Sequence, residues 1–134
     1  MKIKINLNGG FLPRRSHYDD AGADCYSREN TTIEPGQTVK LDLGWSIEIP
    51  YGFTGFLMPR SSLASKGIVA IYTPIDSGYR GNVWAMLHNQ SDQPYTVCVL
   101  ERICQLVIVP IVPAEFVYEL EGTRGNGGFG STGI

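Results

Sequence analysis

One stretch of the sequence combines a positive charge with hydroxyl groups in a way that suits anion binding. Arg60, Ser61 and Ser62 follow an apolar run and open a segment, residues 61–66, that is able to form a helical turn. The first N–H groups of such a turn lack partners within it, so beside an arginine and two hydroxyls they can bind phosphate oxygens. The alternative is that a serine caps the turn and that Arg60 pairs with a surface carboxylate.

A single carboxylate, Asp76, lies in a tight turn between two apolar runs, three residues before Tyr79. An aspartate at such a place usually serves the turn itself. If it points at a phosphate instead, it can take the proton from a water molecule that attacks phosphorus, which is worth about 10²- to 10⁴-fold in rate. Asp76 is therefore a candidate general base, with turn formation as the alternative.

Two further segments carry polar side chains with weaker signals. Arg102 and Gln105 lie on a long apolar strand, where they face opposite ways unless a bulge intervenes, so taken alone they are edge residues. Asp24 lies in an early glycine-containing segment that we interpret as a loop. Neither segment defines a site by itself.

The last eleven residues, 124–134, include five glycines, Arg124 and Phe129. Ordering such a segment costs about 1 to 2 kcal/mol per residue, so on the order of 10 kcal/mol must come from whatever it closes on. A polyphosphate nucleotide could supply this, because Arg124 and the backbone N–H groups can bind phosphate oxygens and Phe129 can stack on a base. The composition predicts a flexible arm that closes over a ligand, or else a disordered tail.

The elements that must position these groups are almost all strands. Short runs with period-two alternation, bounded by turn signals at residues 34–36, 50–52 and 76–78, predict a sandwich or a jelly-roll-like barrel with one short helix. The predicted strands cover Ile3 to Leu7, Val39 to Leu43, Ser46 to Ile49, Phe53 to Met58, Ile68 to Tyr72, Val83 to Leu87, Tyr95 to Val99, Ile103 to Val109 and Glu115 to Tyr118.

Length and composition fit one β domain, residues 1–123, followed by the arm, residues 124–134. A net charge of -2 gives no electrostatic basis for binding nucleic acid or an acidic membrane. We find no apolar run of the roughly 20 residues that a membrane span needs, and no signal peptide, so we expect a cytoplasmic protein. Three irregularly spaced cysteines, 25, 98 and 104, argue against a disulfide framework or a zinc site, and we expect buried thiols.

Taken together and in chain order, five segments resemble the five motifs of the trimeric dUTP pyrophosphatases, or dUTPases. The segments are residues 21–27, 59–67, 75–81, 102–106 and 124–133, and they span almost the whole chain. Any one of them is a weak signal, whereas five in the right order form a specific pattern. The resemblance implies an all-β, jelly-roll-like homotrimer with three active sites between subunits, each closed by the C-terminal arm of one subunit over a site built by the other two.

The resemblance also implies an activity, the hydrolysis of dUTP to dUMP and pyrophosphate with Mg²⁺ bound to the triphosphate. Asp76 matches the carboxylate that activates water for attack on the α-phosphorus. Tyr79 matches the tyrosine that packs under the deoxyribose and refuses a 2'-hydroxyl. The resemblance assigns phosphate binding to Arg60, Ser61, Ser62, Gln105, Arg124, Gly130, Ser131 and Thr132, nucleoside binding to Pro74, Ile75, Tyr79 and Phe129, and the water shell of the metal to Asp24.

This chain departs from the family pattern in the hairpin that contacts uracil. The family usually has an asparagine six residues before the catalytic aspartate, where this chain has Ala70, and the hairpin is about two residues short. Uracil recognition there relies largely on backbone groups. Base specificity is thus the property that this departure would alter.

Two alternative functions remain open at this point. The dCTP deaminases share the fold and some motifs, but they would need a glutamate where this chain has Met86 and a basic residue in place of Ser65. Some family members, notably from phages, bind regulatory proteins, and such a partner is compatible with catalysis.

Overall fold

The described part of the computed structural model, residues 1–122 and 125–126, contains eleven strands and one short helix. The elements are β1 Lys4–Leu7, β2 Ala23–Tyr26, β3 Thr31–Ile33, β4 Thr38–Asp42, β5 Trp45–Glu48, β6 Phe53–Met58, α1 Ser61–Ala64, β7 Ile68–Ala70, β8 Thr73–Ile75, β9 Trp84–Asn89, β10 Tyr95–Val97 and β11 Arg102–Pro110.

The strands form antiparallel sheets whose neighbours are distant in sequence. One sheet has the order β2-β11-β6-β8 and another the order β4-β9-β7, while β1 pairs with β5 and β10 with β3. Leu57 and Ile103 from the first sheet share one buried cluster with Leu41 and Leu87 from the second. The sheets therefore enclose a common core, as the predicted jelly-roll-like sandwich requires.

Alternation along the strands explains which side chains enter this core. In β9, Ala85, Leu87 and Asn89 are buried while the residues between them are not. Asn89 is 0% exposed, and its amide donates hydrogen bonds to the main-chain oxygens of Ile33 at 2.8 Å and Gln93 at 2.7 Å. A polar group is tolerated there because its hydrogen bonds are made inside the protein.

Several strand predictions need correction. Residues 23–26 form β2 rather than a loop, because they pair with β11, and β3 and β8 also went unpredicted. Residues 115–118 form no strand, although their apolar side chains predicted one. They are exposed and pair with no strand in the described chain, and an extended segment without a neighbour gains no ladder hydrogen bonds. The turn predictions at 34–36 and 50–52 are confirmed by Gly36 and Gly52, with φ of 77° and 88°.

The cysteine prediction is wrong for one residue of three. Cys25 and Cys104 are buried and lie opposite each other on β2 and β11, whereas Cys98 is exposed. A hydrogen bond with the Cys104 thiol, together with burial, raises the pKa of Cys25 well above its usual range. Separately, the described residues contain no helix of a length and hydrophobicity that would cross a membrane.

Candidate active site

Three charged side chains meet where β2, the end of β6 and the start of β11 come together. The Nε of Arg60 lies 3.3 Å from Oδ1 of Asp24, and Nη1 of Arg102 lies 3.4 Å from Oδ2 of the same carboxylate. Arg60 also donates from Nη1 to the main-chain oxygen of Arg102 at 3.0 Å. The Asp24 side chain is only 16% exposed, so its charge is well placed to hold both guanidinium groups. We call these three residues the arginine cluster.

A β-bulge brings Gln105 to the same place. The register of β11 against β2 shifts between Arg102 and Cys104, so that Gln105 lies opposite Asp24. Without this extra residue, Arg102 and Gln105 would face opposite sides of the strand. Gln105 donates from Nε2 to the main-chain oxygen of Pro59 at 3.0 Å. The sequence pattern predicted that Arg102 and Gln105 could face the same side only if a bulge intervened, and the structure contains that bulge.

The short helix α1 presents two exposed serines beside the arginine cluster. Arg60 is its N-cap residue, with extended backbone, and no side chain caps the helix by a hydrogen bond. The predicted alternative, a serine that caps the turn, is therefore wrong, while the pairing of Arg60 with a carboxylate is observed. Ser61 and Ser62 are exposed, and the first N–H groups of a helix have no partner within it, so both kinds of donor are available to an anion.

A second group of predicted residues lines a separate pocket of about 260 Å³. Pro74, Ile75, Asp76 and Tyr79 form one side of it. Strands β4 and β9 form the other side through Lys40, Trp84 and Met86, and Nζ of Lys40 lies 4.8 Å from the centre of the Trp84 ring. We call this the nucleoside pocket, because the family resemblance predicts nucleoside binding for Pro74, Ile75 and Tyr79.

The backbone around Asp76 is fixed on both sides. The buried hydroxyl of Thr54 donates to the main-chain oxygen of Ile75 at 2.7 Å, and the N–H of Tyr79 donates to the main-chain oxygen of Asp76 at 3.0 Å. The hydrogen bond that closes the turn thus uses the carbonyl of Asp76 and not its carboxylate. Asp76 is exposed at the edge of the nucleoside pocket, where a general base would meet a substrate.

The segment before Asp76 is not a hairpin in this chain. Strand β7 pairs with β9 in one sheet, whereas β8 pairs with β6 in the other. Ile71 and Tyr72 carry the chain from one sheet to the other and are exposed. Thr73 lines the nucleoside pocket, and its buried hydroxyl has no hydrogen-bond partner in the described chain.

A polar network beside Tyr79 has no signal in the sequence. The Tyr79 hydroxyl donates to the main-chain oxygen of Asn82 at 2.7 Å. The Asn82 amide donates to both carboxylate oxygens of Asp42 at 3.2 Å, and Asp42 pairs with Arg28 at 2.9 Å. Each of these residues is an ordinary polar residue in sequence, and only the fold brings them together.

The arginine cluster and the nucleoside pocket lie at opposite ends of β6. Ile75, just before Asp76, pairs with Gly55 near the start of β6, whereas Arg60 follows its last residue, Met58. Arg60 lies five positions after Gly55, which along an extended chain is a backbone distance of roughly 15 to 20 Å. Among the hydrogen bonds and ion pairs of residues 1–122 and 125–126, none joins the two groups. Within one chain the arginine cluster and the nucleoside pocket are thus two separate groups of residues.

Comparison with known proteins assigns the chain to a family. Residues 10–133 match the family model described as dUTPase. The chain belongs to the dUTPase family. A relative from Nautilia profundicola, named deoxyuridine 5'-triphosphate nucleotidohydrolase, is 43% identical over 99% of this chain and 99% of the relative. The family predicted from the five motifs is therefore confirmed.

Solved structures of dUTPases share the whole fold. The dUTPase of Staphylococcus bacteriophage 80alpha with dUPNHPP matches with a TM-score of 0.89 and 31% identity over 99% of both chains. Its description adds that phage dUTPases control transfer of virulence genes by a G protein-like mechanism. A mutant dUTPase from phage phi11 of S. aureus, described as revealing a structural Mg(II) ion, matches with a TM-score of 0.85 and 26% identity over 91% of this chain and 99% of the other.

The predicted site residues of this dUTPase family member fall into three sets. Asp24 and Arg60 belong to the arginine cluster, and Gln105, Ser61 and Ser62 lie beside it. The nucleoside pocket collects Pro74, Ile75, Asp76 and Tyr79. The residues predicted on the arm lie outside the described residues, namely Arg124, Phe129, Gly130, Ser131 and Thr132.

Proposed function

We propose that this chain hydrolyses dUTP to dUMP and pyrophosphate, at sites that the subunits of a homotrimer share. The observation that supports sharing is the separation of Asp76 from Arg60 along β6, roughly 15 to 20 Å by strand geometry. A general base for attack on the α-phosphorus and an arginine that binds the phosphates must lie within a few ångströms of one triphosphate. A second subunit that places its nucleoside pocket against the arginine cluster of the first would meet this requirement.

The exposed segment after β11 supports assembly as well. Val112, Phe116, Val117, Tyr118 and Leu120 are each at least 73% exposed. A run of large apolar side chains in water is unfavourable, and packing against another subunit would cover it. The same path would carry the arm, residues 124–134, to a neighbouring site, where Arg124 and residues 130–132 would grip the γ-phosphate and Phe129 would stack on uracil.

In the proposed reaction, the residues of each half have distinct tasks. Arg60, Ser61, Ser62 and Gln105 bind the phosphates, and their hydrogen bonds and charge offset the negative charge that develops on the leaving pyrophosphate. Asp76 takes the proton of the attacking water. The ring of Tyr79 lies under the deoxyribose, with Pro74 and Ile75 completing the wall.

We propose that Mg²⁺ enters the site bound to the triphosphate. The described residues contain no cluster of three His, Cys, Asp or Glu side chains. Mg²⁺ is usually bound through one or two carboxylates together with substrate phosphates, and Asp24 is a carboxylate beside the predicted phosphate-binding residues. Asp24 would hold its water shell, since this carboxylate lies beside Arg60 and Gln105. The metal would supply screening of charge, which makes pyrophosphate a better leaving group. We place the reaction in the cytoplasm.

Mixing two inactive variants tests the shared site. Asp76→Asn and Arg60→Ala should each lose most of the turnover while keeping the assembly. Co-expressed at equal levels, they should regain about a quarter of wild-type activity, because that share of sites combines an intact Arg60 from one subunit with an intact Asp76 from another. If both residues of a site came from one chain, every mixed site would lack one of them and no activity would return.

Substrate choice is tested with dUTP, dCTP, dTTP and UTP, each with Mg²⁺, by assaying pyrophosphate and the nucleotide product. Hydrolysis of dUTP alone is expected. Hydrolysis of dCTP or dTTP as well would show that the altered segment at Ala70 has relaxed base choice. Deamination of dCTP is not expected, because Met86 occupies the wall of the pocket where a deaminase needs a glutamate. Absence of any reaction would contradict the proposal.

A regulatory partner is a second candidate function, motivated by the likeness to the phage 80alpha enzyme and the role stated for phage dUTPases. We propose that such a partner protein would bind alongside catalysis. Co-purification of the Asp76→Asn variant with proteins of its host, repeated with and without dUTP, would test it. A partner retained only by the folded assembly would support this role, and none in either condition would contradict it.

A further inference from the structure

The ring of Tyr79 is held at its far end by the main chain. Its hydroxyl donates to the main-chain oxygen of Asn82 at 2.7 Å. The ring also passes close over Gly81, where an added Cβ would lie 2.5 Å from Oη and 2.8 Å from Cζ of Tyr79. Gly81 does not have positive φ, so this glycine provides space and not an unusual backbone conformation. A larger residue would have to displace the ring.

The oxygen that receives this hydrogen bond is itself fixed. The side chain of Asn82 donates to both oxygens of Asp42 at 3.2 Å and accepts from Nδ2 of Asn8 at 2.7 Å. Asp42 also accepts from Arg28 at 2.9 Å and from the N–H of Gly44 at 2.8 Å. The Asp42 side chain is 16% exposed, so the centre of this network is shielded from most of the solvent.

We propose that Gly81 and Asn82 are positioning residues that lock the Tyr79 ring and thereby set selectivity for deoxyribose over ribose nucleotides. The inference rests on the proposed function, in which the ring lies under the sugar. Tyr79 is 44% exposed, and a tyrosine held only by its own rotamer preference could turn aside for a 2'-hydroxyl at small cost. The hydrogen bond to Asn82 and the close fit over Gly81 oppose that movement, so steric exclusion becomes effective.

The Gly81→Ala variant tests the lock directly. The nearest atom to the added methyl is the far end of a side chain, so the ring should turn while the backbone stays. A displacement of about 1 Å can cost up to about 10²-fold in rate, so the ratio of kcat/KM for dUTP over UTP should fall about tenfold or more. Gly78→Ala is the matched control. It adds the same methyl group three residues before Gly81, where no atom lies within 4 Å, and it should keep the wild-type ratio.

A double-mutant cycle shows whether the effect passes through the ring. In a Tyr79→Ala background there is no ring to displace, so Gly81→Ala should change the ratio no further. Asn82→Ala, which frees the main-chain oxygen from the Asp42 network, should lower the ratio in the Tyr79 background only. An equal loss from Gly81→Ala with and without the ring would overturn the proposal, and so would a wild-type ratio in Gly81→Ala.

A crystal structure of Gly81→Ala gives a readout independent of turnover. The 2.7 Å hydrogen bond from Tyr79 to Asn82 should be broken, and an unmoved ring would refute the lock. If the wild-type enzyme hydrolyses no dUTP, the proposed function is wrong and the selectivity part of the inference falls with it. If it hydrolyses dUTP and UTP equally, the function stands and the selectivity inference alone fails.

Discussion

Replacing Asp24 by asparagine should destabilise the fold far more than the loss of an average surface charge. The carboxylate holds Arg60 at 3.3 Å and Arg102 at 3.4 Å. The asparagine is of similar size but has one oxygen and one NH₂ group, so it can accept a hydrogen bond from one guanidinium while presenting donors to the other. Two cations then face each other without the negative charge between them.

The magnitude follows from distance and exposure. At an effective dielectric constant near 20, each pair is attracted by about 4 to 5 kcal/mol before desolvation and entropy are subtracted. Exposed pairs retain about 0 to 1 kcal/mol, whereas removal of one partner of a buried pair costs about 3 to 5 kcal/mol. With side chains that are 16% exposed for Asp24, 24% for Arg60 and 49% for Arg102, this site lies between the limits. We expect a loss of about 2 to 3 kcal/mol, or about 6 to 12 °C in Tm.

Thermal unfolding followed by circular dichroism measures this loss. Protein concentration must be equal in all samples, because assembly makes Tm depend on concentration. Glu48→Gln is the control: it removes a pair with Arg80 at 3.7 Å in which both side chains are 54% exposed, and it should change stability by less than about 0.5 kcal/mol. If Asp24→Asn were as mild as this control, the carboxylate would not be what holds the two arginines.

Two further outcomes depend on single side chains. Under native conditions one thiol per chain, that of Cys98, should react with a thiol reagent, and the buried Cys25 and Cys104 should react only after denaturation; three fast thiols would show that the core opens. Burial, and then the hydrogen bond to Glu101, raises the pKa of Tyr95 from 10.0 to about 12. Because the fold favours the neutral phenol, its contribution to stability is complete below pH 10 and disappears as pH rises to about 12. The free energy of unfolding should therefore exceed that of Tyr95→Phe most below pH 10, and the difference should shrink as pH rises to about 12. A constant difference up to pH 12 would contradict the shift.

The parts of the fold that the sequence predicts are those with local signals. Alternation along β1, β4 and β5 and apolar runs at β6 and β9, with glycine in the turns, are visible within a few residues, so the sequence predicts these strands. Strand β2 exists because β11, about 80 residues later, pairs with it, and no local pattern records such a partner. Strand β8 contains Pro74, which argues against a central strand, but β8 is the edge of its sheet, where a missing N–H is tolerated.

In the candidate site, too, some features are visible in the sequence and others depend on the fold. The type and order of Asp76, Tyr79, Arg60 and Gln105 are visible in sequence and carry the family assignment. Their separation into two halves is not visible, because it depends on the register of β8 against β6. The same is true of the Asp42 network, whose members come from four places in the chain.

Two glycines in the motifs have a steric role that composition alone does not show. Gly22 lies where an added Cβ would come within 2.5 Å of Gln105, just as one at Gly81 would meet Tyr79. Neither glycine has positive φ, so an alanine could adopt the backbone conformation at both positions, and only its methyl group would clash. In each of the two groups, a glycine therefore makes room for a predicted site residue, Gln105 or Tyr79. Both glycines lie in bends outside the strands, and the absence of a side chain at each leaves the space that Gln105 or Tyr79 occupies.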